Sequence, residues 1–189
     1  MKILIIDNYD SFTYNLFHLV KSVSKELIDI FKNDQIELDE IKKYDKIILS
    51  PGPDLPSKSG KLLDIIKNYH SEKSILGVCL GHQAIAESFG SQLINTEKVY
   101  HGVDSIIQII DSNERIFNHL PNRIKVGRYH SWVVDPIHLS PDLKITAIAE
   151  NQTIMAISHQ KYDVKGLQFH PESYMTEFGA EMMSNWLRN

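Results

Sequence analysis

Three apolar runs, Ile3 to Ile6, Ile47 to Leu49 and Ile75 to Cys79, each break into a loop and lead to residues with helical spacing. Runs apolar at every position read as strands buried on both faces, as parallel α/β sheets use them. After the first run, Ser11 precedes Phe12, Leu16, Leu19, Val20 and Val23, which share one helical stripe. After the second, Leu62, Leu63, Ile65, Ile66 and Tyr69 do the same. After the third, His82 to Phe89 reads as a helix closed by Gly90 at the C′ position. Strands alternating with helices predict a mostly parallel sheet with right-handed crossovers.

The second half has another character. Asp104 to Ile110, Arg123 to Val126, His130 to Val134, Leu143 to Ala149, Thr153 to Ser158 and Val164 to Phe169 are short and strand-like, separated by Asn, Pro, Asp and Gly turns. Several of these are expected to be antiparallel. From Thr176 onward, Phe178, Met182, Met183, Trp186 and Leu187 predict an amphipathic closing helix despite Gly179. With no repeat, linker or low-complexity tract, the 189 residues (1–189) read as a single domain.

Composition narrows the function classes. Twenty-four acidic and 20 basic residues give a net charge of −4, which argues against broad binding to nucleic acid or an anionic membrane. No stretch approaches the roughly 18 apolar residues of a membrane span, and the opening run is too short for a signal peptide. The reducing cytoplasm is the expected location. Cys79 is the one cysteine, so an internal disulfide or a multi-cysteine metal site is impossible. No histidine spacing suits a metal, and none is expected.

The most informative segment is Gly77-Val78-Cys79-Leu80-Gly81. Glycines two before and two after a candidate nucleophile, at a strand-to-helix junction, are what a nucleophile elbow requires. They allow a sharp turn that projects the thiol from the carboxyl end of the sheet. The following helix N-terminus favours a thiolate. A thiol of pKa about 8.5 still needs a base. His170 follows the apolar segment Gly166-Leu167-Gln168-Phe169, and Glu172 lies two residues on, beyond Pro171. If the strand direction continues, positions i and i+2 point the same way and Glu172 orients His170, completing a Cys-His-Glu triad. The loop Ser50-Pro51-Gly52-Pro53 can present the Gly52 N–H beside that of Leu80, giving two donors for a tetrahedral oxyanion. His18 and His82 read as solvent-facing or packing residues.

These motifs in this order resemble the class I, triad-type glutamine amidotransferases, with Gln168-Phe169-His170-Pro171-Glu172-Ser173 and Gly77 to Gln83 as the specific pair. The segment Asp7-Asn8-Tyr9-Asp10-Ser11-Phe12-Thr13-Tyr14-Asn15 is similar to the small subunits of anthranilate synthase and aminodeoxychorismate (para-aminobenzoate) synthase. The resemblance implies a flavodoxin-like α/β fold, with a mixed, largely parallel central sheet flanked by helices and a smaller antiparallel sheet. It implies hydrolysis of L-glutamine without a cofactor and delivery of ammonia to a chorismate-binding large subunit, on the tryptophan route, the folate route or both. It also implies that glutamine is held by Gly52, Pro53, Asp54, Gln83, Ser131 and Trp132. At Tyr100-His101-Gly102 a partner contact and a plain surface turn remain equally good readings.

Two positions depart from the family pattern. The loop usually reads Pro-Gly-Pro-Gly, and Asp54 stands at the last glycine; if that position needs φ > 0, aspartate tolerates it at some cost. The oxyanion loop is then expected to be less well formed until a partner binds. Trp132 replaces an aliphatic residue and is expected to narrow or cap the glutamine pocket. Two competing readings are a stand-alone cysteine hydrolase on a related fold and a regulatory subunit that has lost turnover.

Overall fold

The computed structural model describes residues 1–96 and 99–188. The three apolar runs form strands β1 (Lys2–Asp7), β3 (Lys46–Leu49) and β4 (Ser74–Val78). A further strand, β2 (Leu27–Lys32), follows helix α1 (Thr13–Val23). Helices α2 (Leu62–Tyr69) and α3 (Leu80–Ser88) follow β3 and β4. The second half supplies β5 (Leu93–Asn95), β6 (Val103–Ile109), β7 (Arg123–Arg128), β8 (Trp132–Val134), β9 (Leu143–Ala149), β10 (Ile154–His159) and β11 (Val164–Leu167), then helix α4 (Gly179–Leu187).

Among the described residues, nine strands share one sheet in the order β2-β1-β3-β4-β11-β10-β9-β6-β7. From β2 to β11 every pairing is parallel, and from β11 to β7 every pairing is antiparallel. The parallel half therefore has the 2-1-3-4-5 order of flavodoxin-like folds, whose ligands bind at the carboxyl ends of the strands. The expected mixed sheet is present, and its antiparallel strands continue it. The separate small sheet is the antiparallel pair β5-β8.

Side-chain alternation divides the core into two layers. Ile3, Ile5, Ile48, Leu76 and Val78 pack on one face with Leu16 and Val20 of α1 and Met182, Met183 and Trp186 of α4. Leu4, Ile6, Ile47, Leu49 and Ile75 pack on the other with Leu62, Ile65 and Ile66 of α2 and Ala84 and Ile85 of α3. Each inner strand is thus covered on both sides, which is why these runs are apolar throughout.

Several expected boundaries shift. Helix α3 starts at Leu80, directly after Cys79, with Gly81 inside it. The strand expected from His130 starts at Trp132, because the carbonyls of His130 and Ser131 accept hydrogen bonds from the amides of Tyr100 and Thr96. Strand β11 ends at Leu167, so Gln168 to His170 lie beyond it. The closing helix starts at Gly179 because Phe178 adopts φ 60° and is exposed, outside the apolar stripe.

Two glycines permit the β4-to-α3 junction. A Cβ at Gly77 would lie 2.3 Å from the Gly81 carbonyl oxygen, and one at Gly81 would lie 2.3 Å from the Leu49 carbonyl oxygen. Both obstacles are backbone, so they cannot swing aside. Gly77→Ala is expected to destabilise the chain by about 3 kcal/mol, the upper range for overpacking. Urea unfolding checks this; a wild-type midpoint would contradict it.

Candidate active site

Cys79 occupies a backbone conformation that L-residues rarely adopt, φ 51° and ψ −101°. Its N–H donates to the Leu167 carbonyl at 2.8 Å, and its carbonyl accepts from the Gln83 N–H at 3.1 Å. The strained residue is thus pinned to β11 on one side and to α3 on the other. The thiol is free and buried at the carboxyl ends of β4 and β11.

His170 and Glu172 meet beside it. His170 Nδ1 lies 2.7 Å from Glu172 Oε1, with both side chains almost wholly buried. The expected pairing is present, but it is made by a turn, not by a continuing strand. The Ser173 N–H donates to the His170 carbonyl at 3.2 Å, and so does the Thr176 hydroxyl at 2.6 Å. The His170 N–H donates to the Gly127 carbonyl of β7 at 3.1 Å. The rings of Phe12 and Tyr129 meet the imidazole edge-on, at centroid distances of 5.4 and 4.8 Å.

Burial opposes charge on His170, but its interactions with the Cys79 thiol and the Glu172 carboxylate outweigh that and raise the imidazole from 6.5 to about 10. The interaction with Cys79 is the first of those that raise it, and Nε2, with no other hydrogen-bond partner among the described residues, is left for the sulfur. The neighbouring histidines behave oppositely. Burial lowers His82 to about 4, and burial with the Arg128 charge lowers His130 to about 3, so both are neutral at pH 7. His82 is fully buried against Gly166, the packing role expected of it, while His18 is exposed.

A cavity of about 360 Å³ opens over Cys79, lined by Gly52, Pro53, Asp54, Gln83, Tyr129, His130, Ser131 and Trp132. It collects all six residues expected to contact glutamine. Gly52 has no room for a side chain: a Cβ would lie 2.6 Å from both the Asn8 Cβ and the Leu80 Cδ2. Asp54 does adopt positive φ, 63°, and its Oδ1 accepts from the Leu55 N–H at 3.0 Å.

Other residues within the quoted motifs, to which the sequence assigns no individual role, also shape the site. Asn8 braces the Gly52 loop: its N–H donates to Ser50 Oγ at 2.9 Å and its Nδ2 to the Ser50 carbonyl at 2.8 Å. Asp7 accepts from the Tyr9 N–H, the Thr13 hydroxyl and Lys32 Nζ. Burial raises the Asp7 carboxyl, but these hydrogen bonds hold it below the usual range. Gln168 is fully buried and touches the thiol. An amide inside an apolar run carries no signal of that contact, whereas the Asp7-Asn8 break after β1 does mark a strand's carboxyl end.

A strained thiol facing a charged, carboxylate-backed imidazole can attack an acyl carbon under a small polar cavity. The family model for class-I glutamine amidotransferase matches residues 4–189. The chain belongs to the class I glutamine amidotransferases. Among curated members of the family it is 43% identical to aminodeoxychorismate synthase component 2 of Escherichia coli, covering 98% of each chain. It is 43% identical to the aminodeoxychorismate/anthranilate synthase component 2 of Bacillus subtilis, covering 98% of this chain and 95% of that one. It is 46% identical to the anthranilate synthase component 2 of Lactococcus lactis, covering 98% and 93%. A crystal structure described as that of a GMP synthase subunit from Thermoplasma acidophilum aligns with a TM-score of 0.88 at 26% identity, over 98% of this chain and 92% of that one.

The raised His170 value gives a test of the amidotransferase site. Glu172→Gln removes the carboxylate that favours the imidazolium, so the His170 titration, followed by NMR, is expected to fall from about 10 toward 6.5. Because the folded value lies above the unfolded one, the stability His170 contributes is complete below about pH 6.5 and lost as pH rises through about 10. Glu172→Gln narrows that window. An unmoved titration would contradict the pairing.

Proposed function

We propose that this chain is the glutaminase subunit of a chorismate-using synthase, with Cys79, His170 and Glu172 as its catalytic triad. The observation that carries the reading is the His170–Glu172 contact at 2.7 Å, which orients a charged imidazole beside the strained Cys79. Cys79 as thiolate attacks the glutamine side-chain amide carbon, forming a C–S bond and an oxyanion. The N–H groups of Gly52 and Leu80 receive that oxyanion; one such donor is typically worth about 10²–10³ in rate. As the intermediate collapses, the C–N bond breaks and His170 gives its proton to the leaving nitrogen, releasing ammonia. Neutral His170 then takes a proton from water, whose oxygen attacks the glutamyl thioester and yields glutamate and free Cys79.

Glutamine itself is held by Gly52, Pro53, Asp54, Gln83, Ser131 and Trp132, which line the cavity over the thiol. The chemistry needs no metal or other cofactor, because the thiolate is the nucleophile and the imidazolium the acid. Ammonia passes to a chorismate-binding component I, which makes anthranilate, aminodeoxychorismate or both. Relatives carrying each of those names, and one carrying both, support this reading and leave the route to the partner's active site. A cytoplasmic location fits a free buried thiol, and no helix among the described residues is long and apolar enough to cross a membrane.

Cys79→Ser is expected to lower glutamine-dependent synthase activity at least about 10⁴-fold in the complex with component I, while synthesis from added ammonia continues. Separate assays of the two activities check this. Loss of both, or retention of glutaminase turnover, would overturn the reading. Co-purification from the native source, with anthranilate and aminodeoxychorismate measured separately, decides the route.

A further inference from the structure

Gln168 lies fully buried next to Cys79, 89 positions away in the chain, and has no place in the triad. Its Nε2 is 3.7 Å from Cys79 Sγ. Its Oε1 accepts from Gln83 Nε2 at 3.2 Å, and that same nitrogen donates to the Trp132 carbonyl at 2.9 Å. A backbone carbonyl can only accept, so Gln83 must present its amide nitrogen there. Gln168 must then turn its oxygen toward Gln83 and its nitrogen toward sulfur. The polarity of the chain is set from its far end, and Cys79 Sγ is left as the acceptor.

We infer that Gln168 is a catalytic residue whose amide donates to the Cys79 sulfur and favours its anionic form, oriented by Gln83 and the Trp132 carbonyl. The inference rests on the reading of Cys79 as nucleophile. A neutral thiol is a weak acceptor, whereas hydrogen bonds to an ionised group are about twice as strong as neutral ones. The contact is therefore worth most when sulfur is charged, which lowers the free energy of the attacking species. Gln83 also lines the cavity over the thiol, so a ligand that moves Gln83 also moves the donor on sulfur.

The titratable groups on this side of the site are His170, which faces both Cys79 and Glu172, and the cluster of His130, Arg128 and His82 beside it. None of these touches Gln168 through a hydrogen bond, so a change confined to Gln168 leaves their contacts in place.

Because Cys79 is the one cysteine, the rate of iodoacetamide alkylation against pH reports on it alone. Gln168→Met keeps the length and deletes the donor. It is expected to raise the alkylation midpoint and to slow alkylation about tenfold at pH 7, with the limiting rate at high pH unchanged. A purely structural role would change the limiting rate or the fold and leave the midpoint alone. Gln168→Leu deletes the donor without adding a charge; it is expected to raise the midpoint in the same way and decides the matter if Gln168→Met does not fold. A wild-type midpoint in a folded variant overturns the inference. Glutaminase turnover by Cys79→Ser, measured alongside, would instead overturn the nucleophile reading; an inactive Cys79→Ser with unmoved midpoints in the Gln168 variants would overturn this inference alone.

Discussion

The positive φ of Cys79 is the constraint on which the site depends. A residue in that conformation stores about 1–3 kcal/mol of strain and persists only where its surroundings over-determine it. Here the start of α3 lies so close to β4 and β3 that Gly77, against the Gly81 carbonyl, and Gly81, against the Leu49 carbonyl, have no space for a Cβ, and hydrogen bonds tie Cys79 to Leu167 and Gln83. The same contacts that force the turn connect the thiol to the strand leading to His170. Strain at the proposed nucleophile and proximity to its proposed acid–base partner therefore have a common origin.

The sheet's topology does the rest. Parallel pairing of β4 with β11 brings Cys79 and the turn after Leu167 to one edge. The antiparallel half then folds over that edge: β7 accepts the His170 amide through Gly127, and the segment from Tyr129 to Trp132 roofs the cavity. Neither half makes a site alone. A parallel sheet by itself would leave the imidazole exposed, without the Tyr129 ring against it or the Gly127 carbonyl beneath it.

Much of this was legible in the sequence, and the reasons are specific. β1, β3 and β4 were readable because covered strands are apolar at every position, and the elbow because its glycines bracket a single cysteine. β2 was not, because an edge strand half-buried along most of its length, Leu27–Lys32 with Asp29 within it, carries no continuous apolar run. β5 is three residues long, two of them exposed. The partnership of His170 with Glu172 was anticipated through the wrong geometry: β11 stops at Leu167, and the two side chains meet because the Ser173 amide and Thr176 hydroxyl close a turn on the His170 carbonyl. Gln168 and Asn8 act through contacts with residues distant in the chain, which local pattern does not carry. The positive φ at Asp54 follows from the family pattern, in which a glycine stands at that position, and the loop adopts it.

As the proposed nucleophile, Cys79 in its strained setting forms a covalent bond to the side-chain carbonyl carbon of glutamine. Mass spectrometry of peptides after reaction with a glutamine-analogue electrophile tests it most directly. One adduct is expected, on the peptide bearing Cys79, formed at a rate that competing glutamine suppresses. Labelling of another residue, or an adduct on Cys79 that glutamine does not suppress, would contradict it.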